Sequence, residues 1–421
     1  MNDARWVDGD ESRLGFPADP TALIDGGPAF LTKAFHRFGV LDSANSIARL
    51  KDCTEVAGGS TGRKLMFDVE YTHPNGLPSE LFVKFSRDFD DPRRDRGRTQ
   101  MDLEVRFATL ARAEFPVTVP VTLFADYHRE SGTGILVTER IPYGADGVEP
   151  HYPKCLDYRM PEPLEHYRVL LTAVARLAGA HKAGRLAPEF YTEFAFDPVR
   201  VGVGERKPVA PEALRAKVSR YAEFSTQFPG FLPEPIRTRE FLTRMAEEVA
   251  AIGAAERAVL ADLSSTDAHV ALCHWNANVD NAWFFRDDDG GLQCGLLDWG
   301  CVSEMNIAMP LWGALCSAEA QVWDHLDELL ADFANAFADA GGPALDPAQL
   351  HRQLVAYAVV MGVAWLLDAP GYIRSVVPDL DTVADRYDPR IADNEVARTQ
   401  LLMMTNFLRL WQGTDVTDIL R

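Results

Sequence analysis

The stretch "CHWNANVDNAWFFRDDDGGLQCGLLDWG", residues 273–300, holds two short strand-like apolar runs on either side of an Asp-rich turn at Asp287 to Gly291. His274, Asn276 and Asn281 precede the first run, and Asp298 follows the apolar "CGLL" of the second. A hairpin of this kind brings Asn281 and Asp298 to its open end, where they offer two oxygen ligands to a hard divalent cation. Neither is a good zinc donor. His274 reads most simply as a structural histidine that supports the loop.

Upstream, "EVAGGSTGRKLMFDV" sets Gly58, Gly59 and Gly62 before a strand, with Ser60 among them. Glycines let a backbone approach a phosphate and point N–H groups at it. A plain tight turn explains the same residues, and no Gly-Lys-Ser/Thr ends the loop as a Walker motif would. Lys84 follows in "LFVKF". An ammonium in so apolar a strand is costly unless it reaches solvent or an anion. Glu104 lies twenty residues further on in a helical pattern.

Residues 1–45 carry Pro17, Pro20, Gly26, Gly27 and Pro28 ahead of the amphipathic "AFLTKAFHRFGV" and read as an N-terminal extension laid on the main body. Between 46 and 142, "KLMFDVEYTH" and "SELFVKFSRD" flank an Asn-Gly turn and predict a hairpin. The pattern of "TQMDLEVRFATLARA" predicts a helix, and "VPVTLFADYH" with "TGILVTERI" predicts two more strands. A Pro/Gly-rich crossing then gives way to long helical patterns from 143 to 421, interrupted only by the hairpin-bearing segment 271–299. The expected fold class is α+β, a small N-terminal sheet lobe and a larger helical C-terminal lobe.

Of the 421 residues, 47% are apolar and 25% charged, which fits a globular chain. A formal net charge of -20 opposes nucleic acid and anionic lipid as partners. Six scattered cysteines without a CxxC argue against a disulfide framework or thiolate zinc site. The acidic N-terminus lacks a signal-peptide pattern. The apolar run "LVAYAVVMGVAWLL" is too short to span a bilayer. A cytoplasmic protein without membrane partners is the expectation. Trp275, Trp283, Trp299, Trp312 and Trp365 read as core residues before they read as an aromatic pocket.

The order of these elements resembles the aminoglycoside and choline phosphotransferase family, whose fold is protein-kinase-like. Its catalytic segment, H-G-D-x-x-x-x-N followed by a hairpin ending in Asp, is similar to His274, Asn281 and Asp298 in "HWNANVDN" and "LLDWG". The resemblance covers roughly residues 50–315. It implies a bilobal molecule that transfers phosphate from ATP with Mg2+ to a small-molecule acceptor. By this resemblance Gly58, Gly59, Ser60 and Gly62 cover the phosphates, and Lys84 holds them while pairing with Glu104. "GILVTERIPYG", with Glu139, binds adenine, and Asn281 and Asp298 hold the metal. His181 in "LAGAHKAG" matches a frequent family histidine.

The departures fall on the chemistry. Asn276 stands where the family has the aspartate that accepts or orients the acceptor's proton, and Trp275 stands where it has glycine. A neutral amide is no general base, and base catalysis contributes about 10²- to 10⁴-fold. Phosphoryl transfer depends mainly on positioning and charge stabilisation, so turnover is slowed and not forbidden. An acceptor that is already a carboxylate or phosphate needs no base. Asp280 is a candidate replacement carboxylate. "EMNIAMPLWGAL" replaces a polar family segment, with Glu304 as a partial substitute. Three functions remain open: a phosphotransferase with an atypical loop at Asn276, a nucleotide-binding pseudokinase that regulates or scaffolds a protein partner, and another use of the fold such as nucleotidyl transfer.

Overall fold

The computed structural model describes residues 5–56, 62–74, 76–92, 94–112, 115–197 and 209–416. The architecture is α+β, with two compact units. The first comprises Met1–Pro150, Leu186–Glu193 and Gly295–Val302; the second comprises His151–Arg185, Phe194–Cys294 and Ser303–Arg421. The first break thus falls at 150, beyond the expected 142, and two later segments return to the first unit.

The first unit opens with the short strands β1 (Trp6–Asp8) and β2 (Gly15–Pro17), which pair with each other. Its main sheet is built from β3 (Ile47–Val56), β4 (Lys64–Tyr71), β5 (Glu80–Phe85), β6 (Thr122–His128) and β7 (Thr133–Glu139), all neighbours antiparallel, in the order β3-β4-β5-β7-β6. Strand periodicity sorts the side chains by face. Leu81, Val83 and Phe85 of β5 join Ile135 and Val137 of β7 in one core, whereas Leu136 packs on the opposite face with Met101 and Val105 of the helix Arg94–Leu110. By the same alternation Lys84 shares the helix-covered face.

Residues before 46 are not an addition to the surface. Phe16, Leu23, Phe30, Leu31 and Phe35 are buried in the sheet's other core, so this segment completes the unit. Its helix Pro20–Phe38 starts earlier than the apolar pattern suggested. The Asp19 side chain accepts from the Ala22 N–H at 2.9 Å, and Gly27 at φ 51° breaks the run just before Pro28. Strand β3 was not foreseen. It is an edge strand, mostly exposed, whose "IARLKDCTEV" has no apolar alternation, and its register shifts between Lys51 and Thr54.

The second unit is helical around a small strand set. Its long helices are Pro163–Lys182, Pro211–Gln227, Arg239–Ser265, Leu326–Asp339, Pro347–Trp365 and Glu395–Gly413. The predicted patterns at 164–184, 211–228 and 238–263 lie on the first three, and Thr238 caps the third through the Phe241 N–H. The segment 271–299 is more than a hairpin. Strand β8 (Val270–His274) pairs with β11 (Val302–Asn306), while β9 (Ala282–Arg286) pairs with β10 (Leu292–Leu296). The apolar run near 354–367 also proves longer than its sequence suggested. Pro347–Val376 is a helical stretch of 30 residues, enough by length and composition to cross a membrane, and 72% of its apolar window is buried inside the protein. That burial is what a core helix requires.

Candidate active site

In the first unit, Lys84 Nζ lies 2.6 Å from Glu104 Oε2 and 2.9 Å from Asp298 Oδ1. Lys84 and Glu104 are each only 4% exposed. Burial alone would lower the Lys84 pKa, but Asp298 and Glu104 outweigh it and hold the amine above its usual range. Burial pushes the Glu104 carboxyl up, against the opposing pull of Lys84. The structure therefore brings together three of the residues singled out from sequence, with one cation between two carboxylates.

Asp298 reaches this position through its neighbours. It sits in the left-handed region at φ 62° and ψ 59°. Trp299 next to it stacks on Phe107 of the helix Arg94–Leu110 at 3.9 Å, and its Nε1–H donates to Leu296 O at 3.0 Å. The Leu296 N–H donates to Thr118 O at 2.9 Å. A Cβ on Gly300 would meet Gln100 at 3.0 Å, so the turn lies flat on the helix that carries Glu104. None of these contacts was legible in sequence. Lys64, which faces Lys84 across β4 and β5 and pulls the Glu104 carboxyl downward, was also missed.

Gly58, Gly59 and Ser60 lie outside the described residues. Gly62 lies inside them, and a Cβ there would fall 1.7 Å from Phe85 O, which makes this position a close backbone approach. Glu139 ends β7 with its Oε1 accepting from the Val121 N–H at 2.9 Å. Its own N–H donates to Val121 O, and its carbonyl accepts from the Thr138 hydroxyl.

In the second unit the loop after β8 is built from its own amides. His274 is fully buried, and its Nδ1 accepts from the Asn276 N–H at 3.2 Å, which leaves the ring proton on Nε2. Asn281 Nδ2 donates to Asn276 O at 2.9 Å, and Asn278 Nδ2 donates to Asn276 Oδ1 at 2.6 Å. Asn281 Oδ1 accepts no hydrogen bond among the described residues. Asp280 does not stand beside Asn276 as an uncommitted carboxylate: Oδ2 is 3.0 Å from Lys154 Nζ, and its carbonyl is 3.0 Å from His151 Nε2. Burial of Lys154 would lower its pKa, but Asp280 prevails and raises it. Asn278 and Lys154 carried no sequence signal, since an amide pair and an ion pair across a turn leave no periodic mark.

Trp275 donates from Nε1 to the Tyr357 hydroxyl at 2.8 Å, which ties its ring to the helix Pro347–Trp365. Trp283, Trp299 and Trp312 are buried, whereas Trp365 is 60% exposed. His181 Nε2 lies 3.0 Å from Glu304 Oε1, and the Phe196 N–H donates to Glu304 Oε2 at 3.0 Å. Burial opposes ionisation of Glu304, yet these two partners hold it below the usual range. The following helix Ala308–Leu315 is buried throughout, and a Cβ on Gly313 would fall 1.7 Å from Trp275 O. Gly313→Ala is expected to displace that carbonyl at a cost of about 1–3 kcal/mol, read as a lower urea midpoint at unchanged slope.

Asp298 and Asn281 supply oxygen donors of the kind Mg2+ takes. Among the described residues no group of three or more His, Cys, Asp or Glu forms a metal cluster. Asp298 belongs to the first unit and Asn281 to the second, and Mg2+ is an ion that needs few protein donors, because it keeps several waters and takes phosphate oxygens.

The chain is similar to small-molecule kinases of known structure. One is a choline/ethanolamine kinase family protein from Mesorhizobium loti, 16% identical, with 86% of this chain and 93% of that chain covered and a TM-score of 0.39. A microcompartment-associated aminopropanol kinase is 12% identical over 88% and 94%, with a TM-score of 0.45. An aminoglycoside phosphotransferase from Streptomyces rimosus is 17% identical over 74% and 93%, with a TM-score of 0.33. No protein-family model and no curated protein matches the chain.

Proposed function

We propose that the protein is a Mg2+- and ATP-dependent phosphotransferase acting on a small molecule. The observation that carries this reading is the buried cluster in which Lys84 is held by Glu104 and Asp298. A lysine fixed by a buried carboxylate is oriented to meet phosphate oxygens, and Asp298 is a hard-cation ligand at the same place. Asn281 supplies a second oxygen to Mg2+, which when bound neutralises charge on the transferring phosphate. Gly58, Gly59, Ser60 and Gly62 cover the phosphates, and the segment at Glu139 receives the adenine. His274 and Asn281 hold the loop backbone at Asn276, the residue that meets the acceptor.

A second reading, a nucleotide-binding pseudokinase with a protein partner, is favoured by one observation. The loop offers a neutral amide at Asn276, and its nearest acidic residue in sequence, Asp280, is paired with Lys154. Titration calorimetry with Mg-ATP separates the readings from a nucleotide-free scaffold. Wild type should bind, and Asp298→Asn should weaken binding by about 10-fold or more, because a charged metal ligand becomes neutral. No binding by folded wild type at millimolar Mg-ATP would end both nucleotide readings. Binding without phosphate release or transfer would favour the second.

A further inference from the structure

Asn276 has a neighbour that fixes which way its amide points. Asn278 Nδ2 lies 2.6 Å from Asn276 Oδ1 and 3.5 Å from the Asn276 carbonyl oxygen. A backbone carbonyl only accepts, so the atom of Asn278 that faces it is the nitrogen. On its other side Asn278 Oδ1 accepts from the Ser317 hydroxyl at 3.4 Å, which agrees with that orientation. With an NH2 group facing it, the Asn276 atom in contact must be its oxygen. The remaining atom is Nδ2, a donor with no partner among the described residues, on a partly exposed side chain. An aspartate here would also accept from Asn278, but its outer atom would be an acceptor.

We propose that Asn278 is a positioning residue that holds Asn276 as a hydrogen-bond donor and thereby selects an acceptor whose attacking oxygen carries no proton, a carboxylate or a phosphate, over an alcohol. The proposal rests on the phosphotransferase reading above. An alcohol oxygen facing an N–H loses lone-pair density to it, and its own proton finds no acceptor there. An anionic oxygen is steadied by the same N–H and keeps further lone pairs for attack. In the step, that oxygen forms a bond to the γ-phosphorus of ATP. The bond from the γ-phosphorus to the bridging oxygen breaks, and ADP leaves with the electron pair. No proton moves, and the product is an acyl phosphate or a phosphoanhydride.

The test uses the full chain with labelled Mg-ATP and three small acceptors: formate, inorganic phosphate and methanol. Formate and phosphate products identify which anion is used, and acyl phosphate is trapped with hydroxylamine after the reaction. Wild type should transfer to an anion in preference to methanol. Asn276→Asp should reverse that preference by about 10-fold or more, the lower range of base catalysis. Asn278→Asp keeps the size of the side chain but cannot donate, so it should turn the Asn276 amide over and shift preference toward methanol. A merely structural role for Asn278 would change all three rates together. Preference for methanol in wild type, an unchanged ratio in Asn278→Asp, or no transfer to any acceptor from bound Mg-ATP would overturn the proposal. Absence of Mg-ATP binding would instead remove the reading on which it stands.

Discussion

Lys84→Met is expected to lower the unfolding free energy by about 3–5 kcal/mol at neutral pH, the usual cost of removing one partner from a buried ion pair. Methionine keeps the length and the apolar contacts of the stem, so the loss reports charge. It leaves Glu104, 4% exposed, facing Asp298 with no cation between them. The Glu104 carboxyl is already raised from 4.5 by burial, and without Lys84 it rises further. A carboxyl whose folded pKa exceeds its unfolded value favours folding in its protonated form. The deficit should therefore shrink as pH falls toward 4.5 and stand in full above the raised folded value. Adding Glu104→Gln should restore much of the loss at neutral pH, because no unpaired charge then remains at that position. Denaturant titrations of wild type and both variants at two pH values decide the matter. Equal deficits at both pH values, or no recovery in the double variant, would show that the cluster contributes packing and not charge.

The second large effect concerns Asp157, which is 1% exposed and accepts from the Glu319 N–H at 2.9 Å. Burial pushes its carboxyl from 3.8 up to about 7, and the nearby Glu319, itself paired with Arg386 at 2.5 Å, adds to the rise. With the folded value above the unfolded one, the stabilising contribution is whole below pH 3.8 and is lost as pH rises through about 7. The separation corresponds to about 4 kcal/mol. Asp157→Asn has the same shape and no titration. Relative to wild type, the variant should gain about 4 kcal/mol between pH 4 and pH 8. Parallel stability curves for the two proteins would refute a buried, titrating Asp157.

What could be read from the sequence was local. The alternation in "ELFVKF" sends Leu81, Val83 and Phe85 to one side and Lys84 to the other, because a strand repeats every two residues whatever lies around it. The helical periods at 163–182 and 239–265 and the Asp-Gly turn before β10 are likewise properties of short windows, and together they establish the α+β class. The edge strand β3 escaped because exposed edges bury too little to leave an apolar pattern. The N-terminal helix escaped as a core element because its burial depends on a sheet formed by later residues.

The chemistry of the site was decided at longer range. Lys84 and Asp298 are separated by 214 positions and meet at 2.9 Å, next to the stack of Trp299 on Phe107 of the helix that carries Glu104. That an amide and no carboxylate occupies position 276 is a matter of residue identity alone. Which atom of that amide faces outward is a tertiary result. It follows from Asn278, whose nitrogen is identified by the Asn276 carbonyl it faces, since a planar amide carries a donor and an acceptor of nearly equal size and only its neighbours' hydrogen bonds tell them apart.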